Sequence, residues 1–345
     1  MKPEKHTADR MTPVEREYAI EHGLPFDRIP STPFIGSMGC LLLGITEDEC
    51  WNYAEYMVNS EIAAYNRFGF DRLNIGPNTK GISTALKLQF SPENLNAPVI
   101  DDYKILDVME PVDAFGNPEL TRFMNAAEMI SEKASDIVPI KASIGGPFTI
   151  ASFLRGIELL LRDCRRKPQE IHRLIRIIVE SQKSCVDRLS EYNVGIAMAD
   201  PVANPALIGP KLYETFVFPY TKELTDYIAE KTGKKVSLHM CGETYRIWKY
   251  FAQYKVDEIS LDNVVDLERA AKELGEYVPI AGNVDPVNVI MRGTKEKITE
   301  EVISCIEKGK HAKKGYRITS GCDIPNGTAI DKMDWFMEAV RKYGR

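Results

Sequence analysis

VGIAMADP (194–201) and KKVSLHMCG (234–242) flank the helical stretch 210–231, and the reading of these segments decides the fold. Both outer runs are short and apolar, and both end in turn chemistry, Asp-Pro in one and Cys-Gly in the other. Strand, helix and strand in that order make a parallel pair joined by a crossover.

The same rhythm extends in both directions. DRIPSTPFIG (27–36), DRLNIGP (71–77), VPIKASIGG (138–146), DEISLD (257–262), VPIAGNVDP (278–286) and YRITSGC (316–322) read as further strands with their exits. Helical patterns cover 47–69, 118–135, 147–193, 243–254, 264–274 and 294–312. Eight strand–helix units are the count that closes a (β/α)8 TIM barrel, so the chain is assigned to the α/β class with that architecture. One barrel domain over 1–345 is expected, with an N-terminal extension over about 1–25. The polar, proline-containing stretch 83–117 reads as an excursion over the mouth, with a short hairpin as one option.

In such a barrel the C-terminal strand ends form the active face. Ser143, Asp200, His239, Cys241, Asp262, Asn283, Asp285 and Cys322 lie at those ends. His239 and Cys241 stand at i and i+2, so on a strand they share a face. Cys322 ends another strand-like run after a glycine. One imidazole and two thiols converging from two strand ends suit Zn2+, and three protein donors leave a coordination position open for catalysis. A satisfied core histidine with two buried thiols is the bland alternative. Asp262, Glu243 or a water could supply the fourth ligand. Asp200, Asp262 and Asn283 are the candidate catalytic residues, with Asp200 and Asn283 expected to line the pocket and orient substrate.

Composition narrows the function classes. The net charge of −6 comes without a basic stripe or aromatic-basic interleaving, which argues against nucleic acid. No apolar run approaches the roughly 18 residues that span a bilayer. The polar opening MKPEKHTADRMTPVERE lacks the core of a secretory signal. Seven scattered cysteines, an odd number, point to reduced thiols and a cytoplasmic setting. Cys40, Cys50, Cys164, Cys185 and Cys305 read as packing or surface thiols.

Three other motifs have competing readings. GGPFTIASFLRG (145–156) is either a tight strand-to-helix turn or a set of N–H groups for an anionic ligand. GPNTKGI (76–82) is turn chemistry or pocket lining. Arg162, Arg165, Arg166, Lys167, Arg173 and Arg176 form a solvated helix face or a docking surface.

These residues together resemble the uroporphyrinogen decarboxylase superfamily over nearly the whole chain. MTPVEREYAIEHGLPFDRIPSTPF is similar to that family's opening segment, KLYETFVFPYTKEL to its helix after strand four, and AGNVDP to its strand-seven exit. Within the superfamily the chain looks most like the zinc-dependent, corrinoid-linked methyltransferases, typified by the methylcobalamin:coenzyme M enzymes. Their His-x-Cys and distant Cys correspond to His239, Cys241 and Cys322. Asp262-Asn263 departs from the Asp-Glu pair of many relatives. The decarboxylase branch is disfavoured. FIGSMGC lacks its arginines, LNIGPNTKGI lacks its acid, and Ser-Gly-Cys322-Asp replaces a Leu-Gly-His-Gly phrase.

The resemblance implies methyl transfer between methylcobalamin on a partner corrinoid protein and a thiol such as coenzyme M. No Asp-x-His-x-x-Gly phrase is present, so the corrinoid is expected on the partner. The reverse direction is an alternative, with a methyl ether, methylamine or other methylated substrate demethylated onto cob(I)alamin. A non-catalytic zinc-stabilised barrel is a third reading. Donor, acceptor and direction are not encoded in any motif.

Overall fold

The computed structural model describes residues 1–345. Its strands are β1 Leu73–Asn78, β2 Ile140–Gly145, β3 Gly195–Ala199, β4 Val236–Met240, β5 Val256–Leu261, β6 Ile280–Val284 and β7 Tyr316–Ser320. They form one sheet in sequence order, and β3–β4, β5–β6 and β6–β7 pair in parallel. Each overlaps a run expected to be a strand, with β1 ending one residue later, at Asn78, and β5 starting one residue earlier, at Val256.

The helices are α1 Pro13–Glu21, α2 Met38–Leu43, α3 Glu47–Asn52, α4 Ala54–Phe68, α5 Gly81–Lys87, α6 Pro118–Ala134, α7 Pro147–Arg155 and α8 Ile157–Arg166. The series continues with α9 Pro168–Leu189, α10 Pro205–Leu212, α11 Phe218–Thr232, α12 Trp248–Phe251, α13 Leu267–Glu273, α14 Lys295–Gly309 and α15 Ile330–Tyr343. The long stretch 147–193 is thus three helices. They part at Gly156 and at Pro168, whose ring suits a first helical turn but not an interior. None of the helices is long and apolar enough to cross a membrane.

The expected first strand, DRIPSTPFIG, is reduced to a single parallel bridge between Ser31 and Ile318 of β7. Thr32 N–H donates to Ile318 O at 3.1 Å, and Ile318 N–H donates to Pro30 O at 3.0 Å. The reason is local. Pro30 and Pro33 have no N–H, so the ladder cannot extend past them. The other edge of this segment meets the approach to β1, where Asp71 N–H donates to Ser31 O at 2.7 Å.

The packing divides the chain into two compact units. The first holds Met1–Ile75, Glu128–Lys141 and Glu258–Arg345. Its polar N-terminal extension is not a loose tail. Arg28 Nη1 lies 2.6 Å from Asp71 Oδ2, and its Nη2 lies 2.8 Å from Asp9 Oδ2. Arg16 pairs with Asp27 at 2.7 Å and also with Asp71. Arg341 of α15 reaches Asp9 at 3.0 Å. Guanidinium and carboxylate groups tolerate such burial because each finds several charge-assisted partners. A second buried cluster in this unit centres on Glu258 in β5, which pairs with Arg72 at 2.5 Å and Arg317 of β7 at 3.0 Å.

The second unit holds Gly76–Ala127 and Ala142–Asp257. Its α9 buries Ile171, Leu174, Ile175, Ile178, Val179, Cys185, Val186 and Leu189, spaced by three and four so that they share one stripe. Burial of such side chains contributes about 1.5–3 kcal/mol each before entropy is subtracted. The excursion over 83–117 contains the end of α5 and a 3-10 turn at Tyr103–Asp107, with no hairpin. It is anchored by Tyr103, whose hydroxyl donates to buried Asp163 at 2.9 Å, and by Arg155, which donates to Ile100 O at 2.6 Å.

Candidate metal centre

Alternation along β4 buries Val236, Leu238 and Met240 on one side and sends His239 to the other. Cys241 follows the last strand residue, and Gly242 then turns the chain with a left-handed φ of 73°. That conformation is strained for any residue with a Cβ. His239 Nε2 lies 3.3 Å from Cys241 Sγ. Cys322 leaves β7 two residues after Ser320, and its loop is held where Ile324 N–H donates to Phe34 O at 2.9 Å. The ligand atoms of His239, Cys241 and Cys322 all lie within 4.8 Å of one another. Cys241 and Cys322 are half-buried, and neither is in a disulfide.

A nitrogen and two sulfurs at that separation fit a tetrahedral zinc ion, for which Zn–N near 2.0 Å and Zn–S near 2.3 Å are usual. The donor set is too poor in sulfur for an iron–sulfur cluster. Neither Asp262 nor Glu243, the fourth-ligand candidates, belongs to this group of mutually close donors. Asp262 Oδ1 accepts from Val264 N–H at 3.1 Å, and Glu243 is exposed.

Asp200 is 1% exposed. Its Oδ1 accepts from Thr149 N–H at 2.8 Å and from Thr149 Oγ1 at 2.6 Å. Its own N–H donates to His239 O at 3.2 Å. Asp200 therefore anchors the start of α7 and touches the backbone of the candidate ligand. Burial pushes its carboxyl up to about 6, against the lowering effect of the Thr149 bonds. A Cβ at Gly146 would fall 2.4 Å from Asp200 Oδ2, so the glycine pair of GGPFTIASFLRG makes room for this carboxylate. The turn reading of that motif holds, and the α7 N-terminus meets an internal anion.

Asn283, expected to orient substrate, directs its amide elsewhere. Its Nδ2 donates to Asp262 O at 2.9 Å and to Val265 O at 2.7 Å. It is a buried strut beneath the loop after β5. Among the basic residues of α8 and α9, Arg173 pairs with Asp107 at 2.6 Å and Arg176 with Glu223 at 2.7 Å.

Two neighbours of the site were not expected. Thr149 left no trace in the sequence, because it meets Asp200 only across a separation of 51 residues. Asn204 had a weak signal, the Asn-Pro that opens a helix.

Residues 12–343 match the family model described as Uroporphyrinogen decarboxylase (URO-D). The chain belongs to the URO-D family. Among relatives of this URO-D family member is methylcobamide:CoM methyltransferase MtbA of Methanosarcina acetivorans. The two are 24% identical over 341 residues, 96% of this chain and 98% of the relative. Another is a uroporphyrinogen decarboxylase of Prochlorococcus marinus, 26% identical over 229 residues, 62% of this chain and 63% of that one. A solved methyltransferase from Methanosarcina mazei superposes with a TM-score of 0.83 at 20% identity, covering 97% of this chain and 99% of the other. That likeness establishes the URO-D fold for this chain.

Proposed function

We propose that this URO-D family chain is a zinc-dependent methyltransferase that moves a methyl group between a corrinoid carried by a partner protein and a thiol. The observation that carries the reading is the His239, Cys241 and Cys322 donor set, with its ligand atoms within 4.8 Å of one another. The full-length likeness to MtbA of Methanosarcina acetivorans supports the same choice of branch.

In this reading β4 supplies His239, its exit supplies Cys241, and the β7 exit supplies Cys322. Three protein donors leave one position for the substrate thiol. When bound, zinc lowers the pKa of a coordinated thiol and so makes a nucleophile available near neutral pH. His239 and Cys241 hold their places through the β3–β4 pairing and the turn at Gly242. Asp200 fixes the backbone behind His239, and Asn283 fixes the loop that carries Asp262. In this reading Asp262, half-exposed just past the end of β5, contacts the acceptor.

The test is a panel of thiols offered with methylcobalamin, and of methylated thiols, ethers and amines offered with cob(I)alamin, followed by the visible spectrum of the corrinoid. Thiol-dependent loss of the methylcobalamin spectrum by the zinc-loaded chain is the expected result. No spectral change with any pair, in a chain that binds zinc, would overturn the proposal.

A further inference from the structure

We infer that Asn204 is a positioning residue for Cys241, acting through Gly242. The inference rests on the zinc reading of the site. It concerns a side chain that belongs neither to the donor set nor to the substrate-facing residues.

Asn204 sits in the connection after β3, where Pro201 and Pro205 restrict the backbone on either side. It is the N-cap of α10, and its Oδ1 accepts from Ala206 N–H at 2.8 Å. This bond settles the orientation of the amide. The oxygen must face the helix, and the nitrogen must face away from it.

The nitrogen faces Gly242. A Cβ built on Gly242 would fall 1.8 Å from Asn204 Nδ2, so the amide rests directly against the glycine Cα. Gly242 is the residue whose φ of 73° bends the chain immediately after Cys241. Cys241 lies just past the last strand residue, Met240. The cap and the bend are thus one device. The α10 N-terminus orients the amide, the amide blocks outward movement of Gly242, and Cys241 Sγ stays 3.3 Å from His239 Nε2. Partners outside the ligand set that orient a metal ligand commonly set affinity by 10–100-fold.

Two substitutions separate positioning from simple helix capping. Asn204→Gly removes the amide that rests against Gly242 while leaving the helix cap nearly as good, since Gly caps only slightly less well than Asn. Asn204→Ala removes both the amide and the cap. The probe is zinc itself, titrated into the metal-free full-length chain against a chromophoric chelator. Cobalt(II) provides the spectroscopic readout through its thiolate absorption.

The expected result is a zinc Kd raised roughly 10–100-fold in both variants, with an altered cobalt spectrum. Asn204→Gly should stay close to the melting temperature of the parent chain. Wild-type zinc affinity and an unchanged cobalt spectrum in Asn204→Gly would overturn the inference. A parent chain that binds no zinc would instead remove the zinc reading. In that event the alkylation rate of Cys241 by iodoacetamide, followed by mass spectrometry of its peptide, decides. Faster alkylation in both variants supports the placement of Cys241 by Asn204, and equal rates overturn it.

Discussion

Thr149 gives both its backbone N–H and its hydroxyl to one oxygen of Asp200, at 2.8 and 2.6 Å. The pair joins the start of α7 to the end of β3, next to His239. Thr149→Val keeps the shape of the side chain and removes one donor from a buried carboxylate. A loss of about 1–3 kcal/mol is expected. It should appear as a lower urea midpoint with an unchanged m-value. Equal midpoints would show that this pair does not hold the region together.

Zinc analysis should give about one ion per chain, the stoichiometry of a single three-donor site. Cys241→Ala and Cys322→Ala should each reduce the bound zinc strongly by elemental analysis after dialysis. Both variants should stay folded in far-UV circular dichroism, because a catalytic site of this kind does not carry the fold. Full occupancy in both would remove these residues from the metal assignment.

Glu258 gives a pH-dependent expectation. Burial alone would raise its carboxyl pKa, but Arg72 and Arg317 hold it well below the usual 4.5. A depressed carboxylate stabilises the fold fully above its unfolded pKa, and that contribution fades as pH falls through the folded value. Glu258→Gln leaves two guanidinium groups without their carboxylate and should cost about 3–5 kcal/mol at neutral pH. The gap between parent and variant should narrow from pH 4.5 downward. A gap constant from neutral pH to the acid limb of a urea-midpoint series would contradict the ion-pair account.

Uroporphyrinogen should not be decarboxylated, despite the family name. A polycarboxylate tetrapyrrole needs cations around the mouth and an acid beneath its pyrrole nitrogens. Phe34 to Cys40 offers no cation, and Ile75 to Ile82 offers only Lys80 and no acid. Each carboxylate desolvated without a partner would cost on the order of several kcal/mol. An anaerobic assay should yield no coproporphyrinogen. Turnover at enzyme-like rates would overthrow this expectation and the methyltransferase proposal with it.

The legible and illegible parts of this chain divide by range. Strands such as KKVSLHMCG announce themselves through apolar runs with turn residues at their ends, and those signals are local. The closeness of His239 and Cys241 was likewise readable from their i, i+2 spacing, although Cys241 falls one residue past the end of β4. DRIPSTPFIG misled because its apolar character suggested a full strand, while its prolines limit it to one bridge. The burial of Arg16 and Arg28 had no sequence signal at all. Their partner Asp71 lies 55 and 43 residues away, and only the folded chain brings it to them. Asn283 was misjudged for the same reason. An amide at a strand exit reads as substrate-facing until the carbonyls of Asp262 and Val265 are found beside it.

The shortened first strand has a mechanical consequence. Where β3 and β4 are laced by three residue pairs and β6 and β7 by five, β7 meets residues 30–32 through one bridge and a few bonds. This is the seam of the sheet. The amide protons of Thr32 and Ile318 should exchange with deuterium sooner than those in the middle of β6, because parting the seam breaks so few bonds. Heat or pulling force should find the same weak line, and Cys322 lies just beyond it. Opening of the seam would free the segment that leads to Cys322.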